Sequence, residues 1–186
     1  MAAKSDKALA AEVDLIKTVL DTLESGKSAR TLDLSDDEKA VYKTIGKDFI
    51  NLIETTDMQK VYKMPILYAF YSQGNIKSAI TDEDVLSTWK EFFSKNKNWK
   101  DFASDMTYDK YLKITDKQHL AKVKIMPIKY LKASGKGFFV EKEGFVLALN
   151  ENLKEVIKNK VFVDNMRDVL EYRTIEYYRR RYNMNN

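Results

Sequence analysis

The chain has 186 residues, 44% hydrophobic and 12% aromatic, enough apolar material to bury a core across one or two domains. It has no cysteine and one histidine, which excludes a disulfide framework, a thiolate metal site and a histidine-rich one, and no cofactor is expected. The net charge of +4 is unevenly held: residues 1–60 carry 9 basic against 12 acidic side chains, net −3, whereas residues 61–186 carry 23 against 16, net +7.

No segment approaches 18 uninterrupted apolar residues, and Met1 to Lys7 contain no apolar signal-peptide run. The expectation is a soluble, cytoplasmic chain that neither spans a membrane nor is secreted. Leu9, Val13, Ile16, Leu20 and Leu23 alternate spacings of four and three until Gly26, which predicts an amphipathic helix. Ser35 to Glu38 has the pattern of a capping box and opens a second helix burying Tyr42, Ile45, Phe49 and Leu52. The two together read as an antiparallel helical hairpin over residues 1–58.

Met64-Pro65 predicts a proline-started helix over 64–73, ended by Gly74. A short strand at 78–80 follows, and Thr81 to Asp84 caps a helix over 82–94 with Val85, Leu86, Trp89, Phe92 and Phe93 on a wide aromatic face. Residues 95–114 read as an irregular insertion anchored by Trp99, Phe102 and Tyr108. Thr115 to Gln118 is another capping box, opening a helix over 116–125 that should break before Pro127 and restart there, because a proline inside a helix costs about 3 kcal/mol. Phe138 to Val140 and Phe145 to Leu149 predict a hairpin over 137–149 connected through Glu141 to Gly144. Helices are expected after Asn150, around Leu153, Val156 and Ile157, and again through Met166, Val169, Leu170 and Tyr177.

The fold class expected is therefore mainly α with a small β-hairpin: a helical hairpin (1–58), then a winged-helix-like domain with an insertion and C-terminal helices (59–186). The recurrence of Met-Pro-Ile-x-Tyr at Met64 to Tyr68 and Met126 to Tyr130 reads as two proline-started helices rather than as duplicated domains.

Catalytic patterns are weak. Ser25 to Ser28 contains the Gly-Lys-Ser of a phosphate loop, but Asp21 stands where the earlier glycine belongs. The acid clusters at Asp36 to Glu38 and Asp82 to Asp84 are accounted for by capping, the pairs Phe92-Phe93 and Phe138-Phe139 by core packing, and Arg179 to Arg181 by the dipole at a helix C-terminus. Against these stands a concentration of charge: Lys110 to Lys136 holds eight lysines and one acid, Asp116, and falls on the helix that a helix-turn-helix protein places in the major groove.

Tyr62 to Leu67 at a helix start, Thr81 to Asp84 before an aromatic helix, Phe138-Phe139 with Glu143-Gly144, and Phe162 through Asp168-Val169 to Tyr172-Arg173 and Tyr177-Tyr178 resemble the C-terminal region of bacterial DEAD/DEAH-box helicase-like and restriction or defence proteins, over about residues 60–182. The resemblance implies an accessory winged-helix-like module set after a motor or nuclease. No complete Walker or helicase motif is present, so motor activity is not implied. The expected function is non-enzymatic binding of double-stranded DNA, with Lys117, Lys122, Lys124, Lys129, Lys132, Lys136 and Lys142 on phosphates and a motor or nuclease as protein partner. The alternative is a protein-interaction or oligomerisation module acting through the helical hairpin and the aromatic surface. The stretch has no arginine, so bidentate reading of guanine is not expected.

Overall fold

The computed structural model describes residues 36–135 and 137–183. In chain order the helices are α1 (Asp36–Tyr42), α2 (Ile45–Thr55), α3 (Lys63–Phe70), α4 (Asp82–Ser94), α5 (Tyr108–Leu112), α6 (Asp116–Val123), α7 (Lys129–Ser134) and α8 (Lys160–Asn183). The strands are β1 (Tyr71–Ser72), β2 (Asn75–Ile76), β3 (Ala79–Ile80), β4 (Phe139–Val140) and β5 (Leu147–Leu149). The chain is mainly helical with small antiparallel sheets. No described helix is long and apolar enough to cross a membrane. The expected helix through Leu9 to Leu23, the cap at Ser35, the Gly-Lys-Ser sequence and Lys136 lie outside the described residues.

The described residues form two compact units, one of residues 56–154 and one that joins 36–55 to 155–183. In the second, the single helix expected after Ser35 is interrupted: the Thr44 hydroxyl donates to the Val41 carbonyl at 2.8 Å and accepts from the Gly46 amide at 3.2 Å. Such side-chain bonds offer the backbone an alternative to the helical ladder. Gly46 is fixed by packing, since a Cβ there would lie 2.6 Å from Val156 Cγ1. Phe49, Ile50, Leu52 and Ile53 of α2 and Phe162, Val163, Met166, Val169 and Leu170 of α8 are buried, with the Phe49 and Phe162 rings 6.0 Å apart. Both sets recur at helical spacing, so each helix offers the other an apolar stripe. Residues 155–183 therefore belong with α1 and α2, where the sequence division had kept them with the winged-helix-like part.

In the unit 56–154, α3 carries Pro65 in its first turn and ends at Phe70, short of the expected residue 73. The chain turns instead into a hairpin, β1 paired with β2, whose two connecting residues Gln73 (φ 50°) and Gly74 (φ 77°) are left-handed as a tight hairpin turn requires. β3 then enters α4 through a capping box: the Thr81 hydroxyl accepts from the Asp84 amide at 3.1 Å and the Asp84 carboxylate accepts from the Thr81 amide at 2.9 Å. Residues 95–114, expected to be irregular, hold a 3-10 turn, Asn98–Asp101, and α5.

α6 begins with the predicted box, Gln118 Oε1 accepting from the Thr115 amide at 2.8 Å. The expected break before Pro127 does not occur. A π-turn, Lys124–Ile128, contains the proline and carries the helix on into α7. The wider π register gives the pyrrolidine ring room against the preceding turn. Further along, the helix expected around Leu153 to Ile157 is replaced by two 3-10 turns, Glu151–Leu153 and Val156–Lys158, the first capped by Asn150 as its sequence suggested.

β3, β5 and β4 form one antiparallel sheet in that order, with Ile80 opposite Leu147, Ala79 opposite Ala148 and Phe139 opposite Leu149. The loop between β4 and β5 spans residues 141–146, longer than the four-residue connection anticipated. Helix α3, strand β3, helix α4, helix α6–α7 and then a hairpin whose inner strand takes β3 on its free edge is the element order that the sequence led us to expect, with residues 95–114 between α4 and α6. Trp89, Phe93, Phe102, Ile66, Ile80 and Leu147 fill the core beneath it.

Candidate nucleic-acid interface

The α6–α7 rod has two chemically distinct sides. His119, Val123, Pro127, Ile128 and Leu131 are buried, at the three- and four-residue spacings of one helix face. Lys117, Ala121, Lys124, Ile125, Lys129 and Lys132 are exposed on the opposite side. From Lys117 to Val140 the chain has no acidic residue at all.

The predicted lysines fall into three situations. Lys117 and Lys129 are exposed and, among the described residues, pair with no acid. Lys124 bridges to Asp82 at the start of α4 at 2.9 Å, and Lys132 pairs with Glu141 at the start of the wing loop. Both pairs are exposed and screened by solvent, so they hold the two ammoniums only weakly. The Lys132 ammonium, by hydrogen bond and charge, holds the Glu141 carboxyl below its usual range.

Lys122 is placed differently from the groove-facing position expected of it. Its ammonium lies 4.7 Å from the Phe102 ring centre and 5.1 Å from that of Tyr62, and burial, reinforced by Lys60, lowers its pKa. Two turns of helix separate Lys117 from Lys124, and Lys122 falls between them on the flank. The sequence pattern marked it only as polar; the rings it covers come from residues 20 and 60 positions earlier.

The wing contributes little net charge. Lys142 sits over the exposed Phe145 ring at 5.3 Å, and Glu141 and Glu143 flank it. An open hollow of about 550 Å³ separates the wing tip, at Gly144 and Phe145, from Asp82 and Lys124. Gly144 (φ 78°) supplies the left-handed residue in that loop.

The opposite, buried side anchors the rod. The His119 ring is 2% exposed and meets Phe102 and Tyr111 edge-on at 5.4 and 5.6 Å. Burial lowers its pKa, Lys90 adds to that and Asp116 opposes it. Burial likewise pushes the Tyr111 hydroxyl up to about 12. Phe102 reaches this cluster because Asp101, fully buried, accepts from the Val61 amide at 3.3 Å and pairs with Lys60 at 3.4 Å, while Tyr62 donates to the Phe102 carbonyl at 2.6 Å. Nothing in the local pattern of residues 95–114 announces this network, because its partners lie about 40 positions away. The other aromatic pairs are core or support: Phe93, Phe138 and Phe139 are buried, and Tyr177 stacks edge-on with Tyr178 at 5.2 Å.

Among the described residues no group of three or more His, Asp or Glu side chains is placed to hold a metal ion. Asp84 is fully engaged as a cap: burial raises its pKa, but the Lys77 ammonium at 2.6 Å and the Thr81 amide and hydroxyl outweigh it and hold the carboxyl below its usual range. No protein family, curated protein or solved structure matches the chain.

Proposed function

We propose that the unit 56–154 binds double-stranded DNA as a non-enzymatic accessory module, laying the exposed side of α6–α7 along the major groove. The observation that supports this reading is the exposed side of α6–α7 bearing Lys117, Lys124, Lys129 and Lys132, in a stretch with no acidic residue of its own, on the helix that winged-helix topology offers to DNA. Lysine is a flexible point charge that serves phosphates well. The charge-balanced wing adds shape and at most the Lys142 ammonium, and Lys122 is engaged with its rings.

Neutralising phosphates releases counterions, with a slope of log affinity against log salt of about −0.9 per phosphate. Four lysines then give a slope between about −3 and −4 and roughly a hundredfold loss between about 50 and 200 mM salt. Fluorescence anisotropy of a labelled duplex measures it. Lys117→Glu with Lys129→Glu should flatten the slope by about two and weaken binding to every sequence alike. Affinity unmoved by salt or by these substitutions would rule the reading out.

A second reading, docking of a protein partner, is favoured by Leu112 and Tyr108, which are 62% and 45% exposed on α5. A motor or nuclease is the partner that the sequence resemblance suggests. Leu112→Lys would abolish such docking and leave duplex affinity unchanged.

A further inference from the structure

On the face assigned to DNA, one large side chain has no obvious place in phosphate binding. Ile125 is 68% exposed in the middle of the α6–α7 rod, more than any other large hydrophobic residue among those described. It follows Lys124, one turn beyond the exposed Ala121 and one turn before the exposed Lys129. Single exposed hydrophobic residues are ordinary on protein surfaces, so what bears on function is the position of Ile125 among the exposed lysines and Ala121 of this one face.

The polar chemistry for reading base edges is scarce on this face. Between Lys117 and Val140 there is no arginine, asparagine, aspartate or glutamate. The amide of Gln118, which would pair with adenine, has its Oε1 occupied by the Thr115 amide at 2.8 Å and hydroxyl at 3.0 Å. His119 is buried and Ser134 donates to the Tyr130 carbonyl at 2.7 Å. The lysines can reach guanine as well as phosphate, but as mobile single ammoniums. What the face does present rigidly is apolar: a β-branched side chain restricted in its rotamers, with a small alanine one turn away that permits close approach. In the major groove the apolar feature of a base edge is the 5-methyl group of thymine.

We infer that Ile125, with Ala121 beside it, reads pyrimidine 5-methyl groups in the major groove, making the module prefer duplexes that carry them. This rests on the DNA-binding reading above and adds a base preference to it. Removing the methyl from water against Ile125 is worth about fourfold in affinity for each methyl engaged.

The test uses the full chain and four duplexes of about two helical turns: alternating A·T, the same with deoxyuridine for thymidine, alternating G·C, and the same with 5-methylcytosine. Each pair differs only by the methyl group. The expected result is that affinity falls about fourfold or more from thymine to uracil and rises similarly from cytosine to 5-methylcytosine. In Ile125→Ala both differences should vanish while the salt slope is retained; because Ile125 is exposed, the variant keeps the fold, checked by its unchanged urea midpoint. Equal affinity within both pairs, with a steep salt slope, overturns the methyl reading and leaves DNA binding standing. Discrimination that survives in Ile125→Ala assigns the methyl contact elsewhere and overturns it too. Absence of salt-dependent binding to all four duplexes overturns both.

Discussion

Two residues of α6 show how tertiary context changes what a side chain does. His119 is confined among Phe102 and Tyr111, so the fold favours its neutral form; Lys90 adds to this and Asp116 opposes it, with Lys122 and Lys60 the other charges near the cluster. The folded pKa lies below the unfolded value of 6.5. Above that value the imidazole is neutral in both states and contributes no pH dependence. As pH falls through it, the unfolded chain takes up a proton that the fold resists, and stability declines until the folded histidine is protonated as well. Urea midpoints measured at pH 8 and pH 5 should therefore diverge more in the native chain than in His119→Phe. Lys122 is the second case. Lys122→Ala should leave the salt slope of duplex binding unaltered while lowering stability by about 1 kcal/mol, because its stem and ammonium cover Tyr62 and Phe102. A flattened slope would put Lys122 back among the phosphate contacts.

At the level of elements, the N-cap at Thr81 and the capping box at Thr115 are legible because their partners lie within four residues, and the structure adds that Asp84 closes the Thr81 cap into a box as well. Termination was less legible. Gly74 has the sequence signature of a helix stop and instead belongs to a hairpin turn, while Pro127 has that of a helix break and instead sits in a π-turn. In both places a local preference is overruled by the segment's other contacts. α7 ends at Ser134, and at the following Gly135 a Cβ would lie 2.3 Å from the Leu131 carbonyl oxygen and 2.5 Å from the Phe139 ring. The closer of those neighbours is backbone and cannot easily move. Gly135→Ala should cost about 1–3 kcal/mol, read as a lowered urea midpoint, with the wing more readily hydrogen-exchanged.

For the molecule as a whole, the unit 56–154 is one continuous stretch with its own core around Trp89, Phe93 and Phe102. Expressed alone, residues 56–154 should unfold cooperatively and bind a duplex with the salt slope of the full chain; non-cooperative melting would show that the core needs the remaining helices. What the sequence determined by itself is whatever is encoded within a few residues: the caps, the two strands lying inside 138–140 and 145–149, and the order helix, strand, helix, helix, hairpin. It also located the lysines, since charge is a property of composition. Tertiary structure decided how each is held, by setting Lys122 against rings and placing Lys124 and Lys132 in exposed pairs with carboxylates that a phosphate would have to displace. It likewise decided that α8 packs with α2, more than 100 positions earlier, and that Asp101 ties the insertion to Val61. Periodicity reports which face of a helix is apolar but not which distant surface that face will meet, and each of these outcomes depends on the meeting.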